Sequence, residues 1–334
     1  MAYKAHEQKG ILLNANEFPI NLNDQIRSEM AQMITTTIFN RYPDDSAARV
    51  KKLYAQYLGI TPDMILPANG SDQALQLLIG TFAPVGKVML TVDPDFEMYD
   101  FYADSYGTRL LKYPLEKDGS FSLDDFIEKA KEENASLILF SNPHNPTGHV
   151  LTPDQVKKMA KALPDTVIAM DEAYMDFAQV SAISLLEELD NLYITRTLSK
   201  AWGLAGLRMG FVISTPKNIA WLDPYRTVYN VSSLNQDAAS VVLSHPEFLK
   251  ANLDLVLSER ARVFEELKKI ESLHALESST NFILTWPENY EKLDEALKKA
   301  NITVRRFPAR KALRFTIGLP EENDALLAVL KENA

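Results

Sequence analysis

Between about residues 65 and 215, short apolar runs alternate with amphipathic stretches. The runs at 87–92 (KVMLTV), 136–141 (SLILFS), 166–170 (TVIAM), 192–196 (LYITR) and 210–214 (GFVIS) are β-branched or bulky and lack a clean in–out alternation. Strands covered on both faces read this way, and such strands belong to parallel sheets. Residues 72–82 carry apolar side chains at 74, 75, 77, 78 and 82, which fits a helix, and 124–133 and 153–162 also fit helices. Strand alternating with helix predicts an α/β sheet with both faces covered.

After Ser233 the texture changes. A long helical stretch is expected over 235–270, broken near His245-Pro246, because proline cannot continue a helix. Strands are expected near 281–286, 303–305 and 312–317, and helices at 290–300 and 322–331. This pattern predicts a smaller α+β unit. The first forty or so residues read as irregular chain lying against it. The expected organisation is a large unit over 40–240 and a small one built from 1–39 and 241–334.

A chain of 334 residues is long enough for roughly two domains of about 150 residues each. The net charge of −10 argues against nucleic acid as a partner, since phosphate backbones need clustered Lys and Arg. The absence of cysteine excludes disulfides, thiolate metal sites and cysteine nucleophiles. The histidines at 6, 144, 149, 245 and 274 form no H-x-x-x-H or H-E-x-x-H pattern, so no metal is expected. No apolar segment reads as a secretory signal or membrane span, and a cytoplasmic protein is expected. No G-x-G-x-x-G follows an early strand, which sets aside a nicotinamide dehydrogenase.

In open parallel sheets ligands sit beyond the carboxyl ends of the strands, so the residues after each run carry the chemistry. The run at 166–170 leads into Asp171-Glu172-Ala173-Tyr174. A carboxylate there suits a helix cap or the anchor of a cationic ligand. The run at 136–141 leads into Asn142-Pro143-His144-Asn145-Pro146-Thr147-Gly148, a rigid turn that could aim the Asn145 amide. The run at 192–196 leads into Thr197-Leu198-Ser199-Lys200, with Arg208 close by. A lysine opening a tight, small-residue segment is a Schiff-base candidate, and an arginine beside it can hold a phosphate bidentately. Asn69-Gly70-Ser71-Asp72 opens a helix, and reads either as an ordinary cap or as a phosphate site.

Taken together and in this order, these motifs resemble the class I/II (fold-type I) aminotransferases, which depend on pyridoxal phosphate, and within them the histidinol-phosphate aminotransferase group. Further matching segments are Leu13-Asn14-Ala15-Asn16-Glu17, Arg41-Tyr42-Pro43, Leu204-Ala205-Gly206-Leu207-Arg208, Thr280-Asn281-Phe282 and 313–318 (LRFTIG), so the resemblance spans nearly the whole chain. It implies that Lys200 carries the cofactor and moves the proton. Asp171 then pairs with the pyridinium nitrogen, and Asn145 and Tyr174 contact the ring 3′-oxygen. Gly70, Ser71, Ser199 and Arg208 hold the phosphate, with Thr197 and Asp72 as further members of that shell. Phe96 stacks on the ring, and Arg314 binds the substrate carboxylate. Asn16, Phe18 and Arg305 fall in the segments that meet substrate. Tyr42 reaches the cofactor of the other subunit, which implies a homodimer.

The resemblance also implies a small-molecule amino donor and a 2-oxo acid acceptor: histidinol phosphate, an aromatic amino acid or both, with 2-oxoglutarate. Phe18 stands where enterobacterial-type members carry a phosphate-binding Tyr, and cannot donate; this argues against histidinol phosphate as sole substrate. Arg305 and Arg306 suit a substrate phosphate or second carboxylate, or a surface basic pair. Two other functions fit parts of the pattern. A decarboxylase of the threonine-phosphate type shares the lysine, Asp and Asn motifs. A non-catalytic cofactor-binding regulator would need a fused DNA-binding segment, for which the sequence shows no room before Ile11 or after Lys331.

Overall fold

The computed structural model describes residues 9–334. Its larger sheet has seven strands: β2 (Ile65–Ala68), β3 (Val88–Asp93), β4 (Arg109–Pro114), β5 (Leu137–Ser141), β6 (Val167–Asp171), β7 (Leu192–Thr197) and β8 (Gly210–Ile213), in the order β2-β8-β7-β6-β5-β3-β4. The pairs β4/β3, β3/β5, β5/β6 and β6/β7 are parallel. Helices Gly70–Phe82, Met98–Tyr106, Leu123–Glu132 and Pro153–Ala162 lie between successive strands and cover the sheet. That is the α/β architecture expected of the alternating pattern.

One strand runs against expectation. β8 is antiparallel to both β7 and β2. Only a loop with one short turn, Ala205–Leu207, separates β7 from β8, so no crossover helix can carry the chain back to begin a parallel strand. The run at 210–214 is nevertheless buried throughout β8. An unbroken apolar run reports burial on both faces, not direction.

The smaller sheet contains β1 (Ile11–Leu13), β9 (Leu273–Ala275), β10 (Phe282–Pro287), β11 (Ile302–Phe307) and β12 (Ala312–Thr316), ordered β1-β11-β12-β10-β9. β1 adds to its edge in parallel with β11. The N-terminal stretch is therefore not irregular. It also forms the helix Asp24–Ile34, whose first turn is capped by the Asn23 side chain accepting from the Ile26 amide. That helix packs on the helix Ser233–Leu243 rather than on the small sheet, and Thr37 Oγ1 donates to Asp237 at 2.9 Å. The first eight residues assigned to the small unit lie outside the described residues.

The predicted break at His245-Pro246 separates Ser233–Leu243 from the long helix Pro246–Leu267. Among the described residues, no helix is long and apolar enough to cross a membrane.

Candidate active site

A cavity of about 210 Å³ opens where the carboxyl ends of β3, β5, β6 and β7 meet the N-terminus of helix Gly70–Phe82 and the arginines of the small sheet. Parallel strands deliver their trailing residues to one edge, which is why groups so far apart in sequence converge here.

Asp171 is the last residue of β6 and is buried. Its Oδ2 accepts from the Tyr99 phenol at 2.8 Å and its Oδ1 from Thr195 Oγ1 at 2.9 Å. Burial pushes its carboxyl up to about 6 despite those donors, which pull the other way. A desolvated carboxylate of this kind is stabilised by an apposed cation.

Lys200 follows β7, and its Nζ donates to the Ala15 carbonyl at 2.8 Å. Tyr174 lies beside it, with the ammonium 5.8 Å from the ring centroid. The Tyr174 hydroxyl accepts from Asn16 Nδ2 at 2.8 Å. Asn145 comes from the turn after β5, where its amide donates to Ser141 Oγ at 2.8 Å and its side-chain oxygen accepts from Arg314. Arg314 also donates to the Asn14 carbonyl at 2.9 Å and lies over the Phe282 ring, 5.0 Å from the centroid.

The other end of the cavity is built for an anion. Asn69 puts no side chain over the first amides of helix Gly70–Phe82, and Ser71, Asp72, Ser199 and Arg208 line the wall there. Thr197 Oγ1 fixes the turn by accepting from the Ser199 amide at 3.0 Å. Arg208 pairs with Asp72 at 2.6 Å and lies flat against the helix start. A Cβ on Gly70 would stand 2.7 Å from Arg208 Nη2, and one on Gly210 would stand 2.4 Å from the Ser71 amide nitrogen. Both positions need glycine for the guanidinium and the helix start to come this close.

One residue expected to meet substrate lies elsewhere. Phe18 is not in the cavity wall; it is half-buried against the core beside Gly203. Tyr42 is 80% exposed and stacks on Tyr229 at 4.5 Å, away from this chain's own cavity. Phe96 and Arg305 do line the cavity.

The structure adds residues that the sequence reading passed over. Tyr99 and Thr195 hold Asp171. Asp95 accepts from Ser141 Oγ at 2.6 Å and from the Ser141 amide at 3.0 Å, and burial pushes its carboxyl up to about 7. His144, held near pKa 4 by burial and so neutral, bonds both Thr147 Oγ1 and the Pro94 carbonyl, tying two cavity loops together. Glu97 pairs with Arg305. Tyr99 and Glu97 flank Met98, next to the matched Phe96, but nothing in their spacing marked them.

The donor set fits pyridoxal phosphate: an uncapped helix start, Ser199 and Arg208 for the phosphate, a buried carboxylate for the ring nitrogen, and a lysine between them. The comparisons agree. The family model for aminotransferase class I and II matches residues 8–330. The histidinol-phosphate aminotransferase of Clostridium novyi is 33% identical over 336 aligned positions, covering 98% of this chain and 94% of that protein. That of Ruminiclostridium cellulolyticum is 34% identical, with 97% and 93% covered. The crystal structure of the Sinorhizobium meliloti histidinol-phosphate aminotransferase in complex with pyridoxal 5′-phosphate superposes with a TM-score of 0.89 at 26% identity, covering 97% of this chain and 91% of that one. The chain belongs to the class I and II aminotransferases, within their histidinol-phosphate aminotransferase group, and its cofactor is pyridoxal phosphate.

Proposed function

We propose that this aminotransferase takes the amino group of histidinol phosphate, of an aromatic amino acid, or of both, and passes it to 2-oxoglutarate. The observation that carries the reading is the pairing of Arg305 and Arg314, register partners on β11 and β12, in the same cavity as Phe96. Two guanidinium groups beside an aromatic ring suit a donor with a ring on a short chain and an acceptor with two carboxylates. The curated relatives named above support the donor's identity.

When bound, pyridoxal phosphate supplies an electron sink that weakens the bonds at the donor's Cα. In this reading the protein does the rest. Asp171 keeps the proton on the ring nitrogen, because an opposite charge at close range favours the cationic form. Tyr174 and Asn145 donate toward the ring 3′-oxygen, with Asn16 setting the phenol and Arg314 the amide. Lys200 would hold the cofactor's aldehyde carbon, and its amine, placed beside the donor's Cα, would take and return the proton there, with proximity supplying much of the rate. Arg314 orients the α-carboxylate.

The same reading has the enzyme act in the cytoplasm as a homodimer with Tyr42 extending to the partner's cofactor. It is supported by the exposed apolar side chains of Ile34, Ile38, Phe39, Tyr42, Val228 and Tyr229, since a patch of this kind marks an interaction surface. It also treats the chain as two units, 40–240 and 1–39 with 241–334.

The test is a single-turnover absorbance assay of the cofactor-loaded protein with histidinol phosphate, phenylalanine and threonine phosphate in turn. Conversion of the cofactor band to its pyridoxamine form by histidinol phosphate or phenylalanine is expected, and the faster donor is the preferred one. No conversion with either would reject the donor assignment. Carbon dioxide release with threonine phosphate would replace it with a decarboxylase.

A further inference from the structure

Arg305 and Arg314 stand opposite each other on adjacent antiparallel strands, and both line the cavity. Like charges placed so are mutually unfavourable unless anions answer them. Arg314 is buried among fixed acceptors, the Asn145 side chain and the Asn14 carbonyl. Arg305 has a different partner: its Nη2 lies 2.5 Å from Glu97 Oε1. Glu97 comes from the other side of the cavity, between Phe96 and the helix Met98–Tyr106. An acid carried by the seven-stranded sheet thus closes on an arginine carried by the small one.

The two partners are unequally held. The Glu97 side chain is 56% exposed and that of Arg305 16%. Arg305 also lies over the Phe307 ring, 5.9 Å from its centroid. Glu97 can turn into water with most of its hydration already in place, whereas Arg305 would give up contacts with its aromatic neighbour. When the pair opens, the acid is the member that yields.

We propose that Glu97 is a specificity-determining residue that occupies Arg305 as a built-in anion and is displaced only by a ligand whose far end carries a carboxylate or phosphate. A ligand with a neutral ring at that end leaves the pair closed. One cavity then accepts both classes, and the anionic class alone must open an ion pair before making its own. The exchange replaces one charge-assisted contact with another. Its effect is therefore that of a partly exposed pair, about two- to five-fold in affinity. The inference rests on reading this cavity as the substrate site.

The experiment is calorimetric titration of the cofactor-loaded protein with two inert ligands, glutarate and 3-phenylpropionate. Both carry a carboxylate for Arg314; only glutarate carries a second. Wild type, Glu97→Gln and Arg305→Gln are compared. Gln keeps the size of the exposed Glu97 side chain, so the fold is not at stake. Glu97→Gln is expected to tighten glutarate relative to 3-phenylpropionate by about two- to five-fold, and Arg305→Gln to weaken glutarate selectively. An unchanged or reversed ratio in Glu97→Gln overturns the role of Glu97 while leaving the cavity's function standing. If wild type binds neither ligand, the cavity is not a carboxylate site, and both readings fall. Neither ligand is turned over, so the result does not depend on which donor the enzyme prefers.

Discussion

The Tyr99 phenol donates to Asp171 Oδ2 at 2.8 Å, with both residues buried. Tyr99 is neutral, its own ionisation pushed well up by burial, so it acts only as a donor to the carboxylate. Hydrogen bonds to a charged group are worth about 1.5–3 kcal/mol, against about 1 for neutral ones. Tyr99→Phe keeps the ring that meets Phe96 edge-on and removes this donor. The Asp171 carboxyl then rises further above about 6, and it takes up its proton at higher pH. Cofactor affinity is expected to fall on the acid side, where Asp171 now binds its proton. The acid limb of its pH dependence should move upward. Fluorescence titration of apoprotein with pyridoxal phosphate across pH measures both; an acid limb that stays in place would mean Tyr99 does not tune Asp171.

Lys200, the proposed cofactor lysine, carries little of the fold. Its ammonium makes one hydrogen bond, to the Ala15 carbonyl. Lys200→Ala is expected to give a folded protein that binds the cofactor non-covalently and performs no multiple-turnover transamination. Undiminished turnover would remove Lys200 from its proposed role.

Gly210 couples a strand to the proposed phosphate end of the cavity. A Cβ there would stand 2.4 Å from the Ser71 nitrogen and 2.5 Å from the Gly70 carbonyl carbon, both backbone atoms that cannot rotate away. Gly210→Ala must therefore shift the start of helix Gly70–Phe82. The expected result is weaker binding of pyridoxal phosphate with little change for pyridoxal, which lacks the phosphate. Equal loss for both would place the damage elsewhere.

Asp95 gives the fold a pH dependence of definite sign. Burial raises its carboxyl from the ordinary value near 3.8 to about 7. Across that window the folded protein binds a proton that the unfolded chain releases, so stability from this group falls as pH rises from about 4 to 7. Asp171, raised to about 6, acts in the same direction. Asp95→Asn removes the larger share. Urea denaturation of apoprotein at about pH 5 and pH 8 should show a smaller loss of stability on going to pH 8 in the variant than in wild type. An equal loss in the two proteins would show that Asp95 does not titrate in this range.

In the larger sheet, the strands that the sequence revealed are those sealed on both faces, β3, β5, β6, β7 and β8, where burial leaves an unbroken apolar run. β4 escaped because it is an edge strand with no fully buried position, and β2 because it is four residues long and holds Pro67. The helix Asp24–Ile34 was legible in Ile26, Met30, Met33 and Ile34, at helical spacing, but its polar remainder hid it. The site followed the same logic. Lys200, Asp171, Asn145 and Arg208, which line the cavity, were singled out because each ends or follows a strand within a recognisable motif. Tyr99 and Thr195 could not be found that way. Each bonds Asp171 from a separate element, and only the folded sheet brings the partners together. Asp95 does follow β3 and was passed over beside Phe96.

Arg314 tests where the donor's anion is bound. Its guanidinium already serves the Asn145 side chain and the Asn14 carbonyl while lying over Phe282. A planar fork can keep those bonds and still present an edge to a carboxylate; an ammonium cannot. Arg314→Lys should therefore lower kcat/KM for any partner that uses an α-carboxylate, phenylalanine and 2-oxoglutarate included, by about ten-fold or more. Histidinol phosphate carries a CH2–O–phosphate where an amino acid has its carboxylate, so its anion also falls to this guanidinium. Its half-reaction, followed in a single turnover without the acceptor, should fall as well, by about ten-fold or more. A loss with phenylalanine alone would mean that the phosphate is bound elsewhere. An unchanged rate with phenylalanine would remove Arg314 from substrate binding altogether.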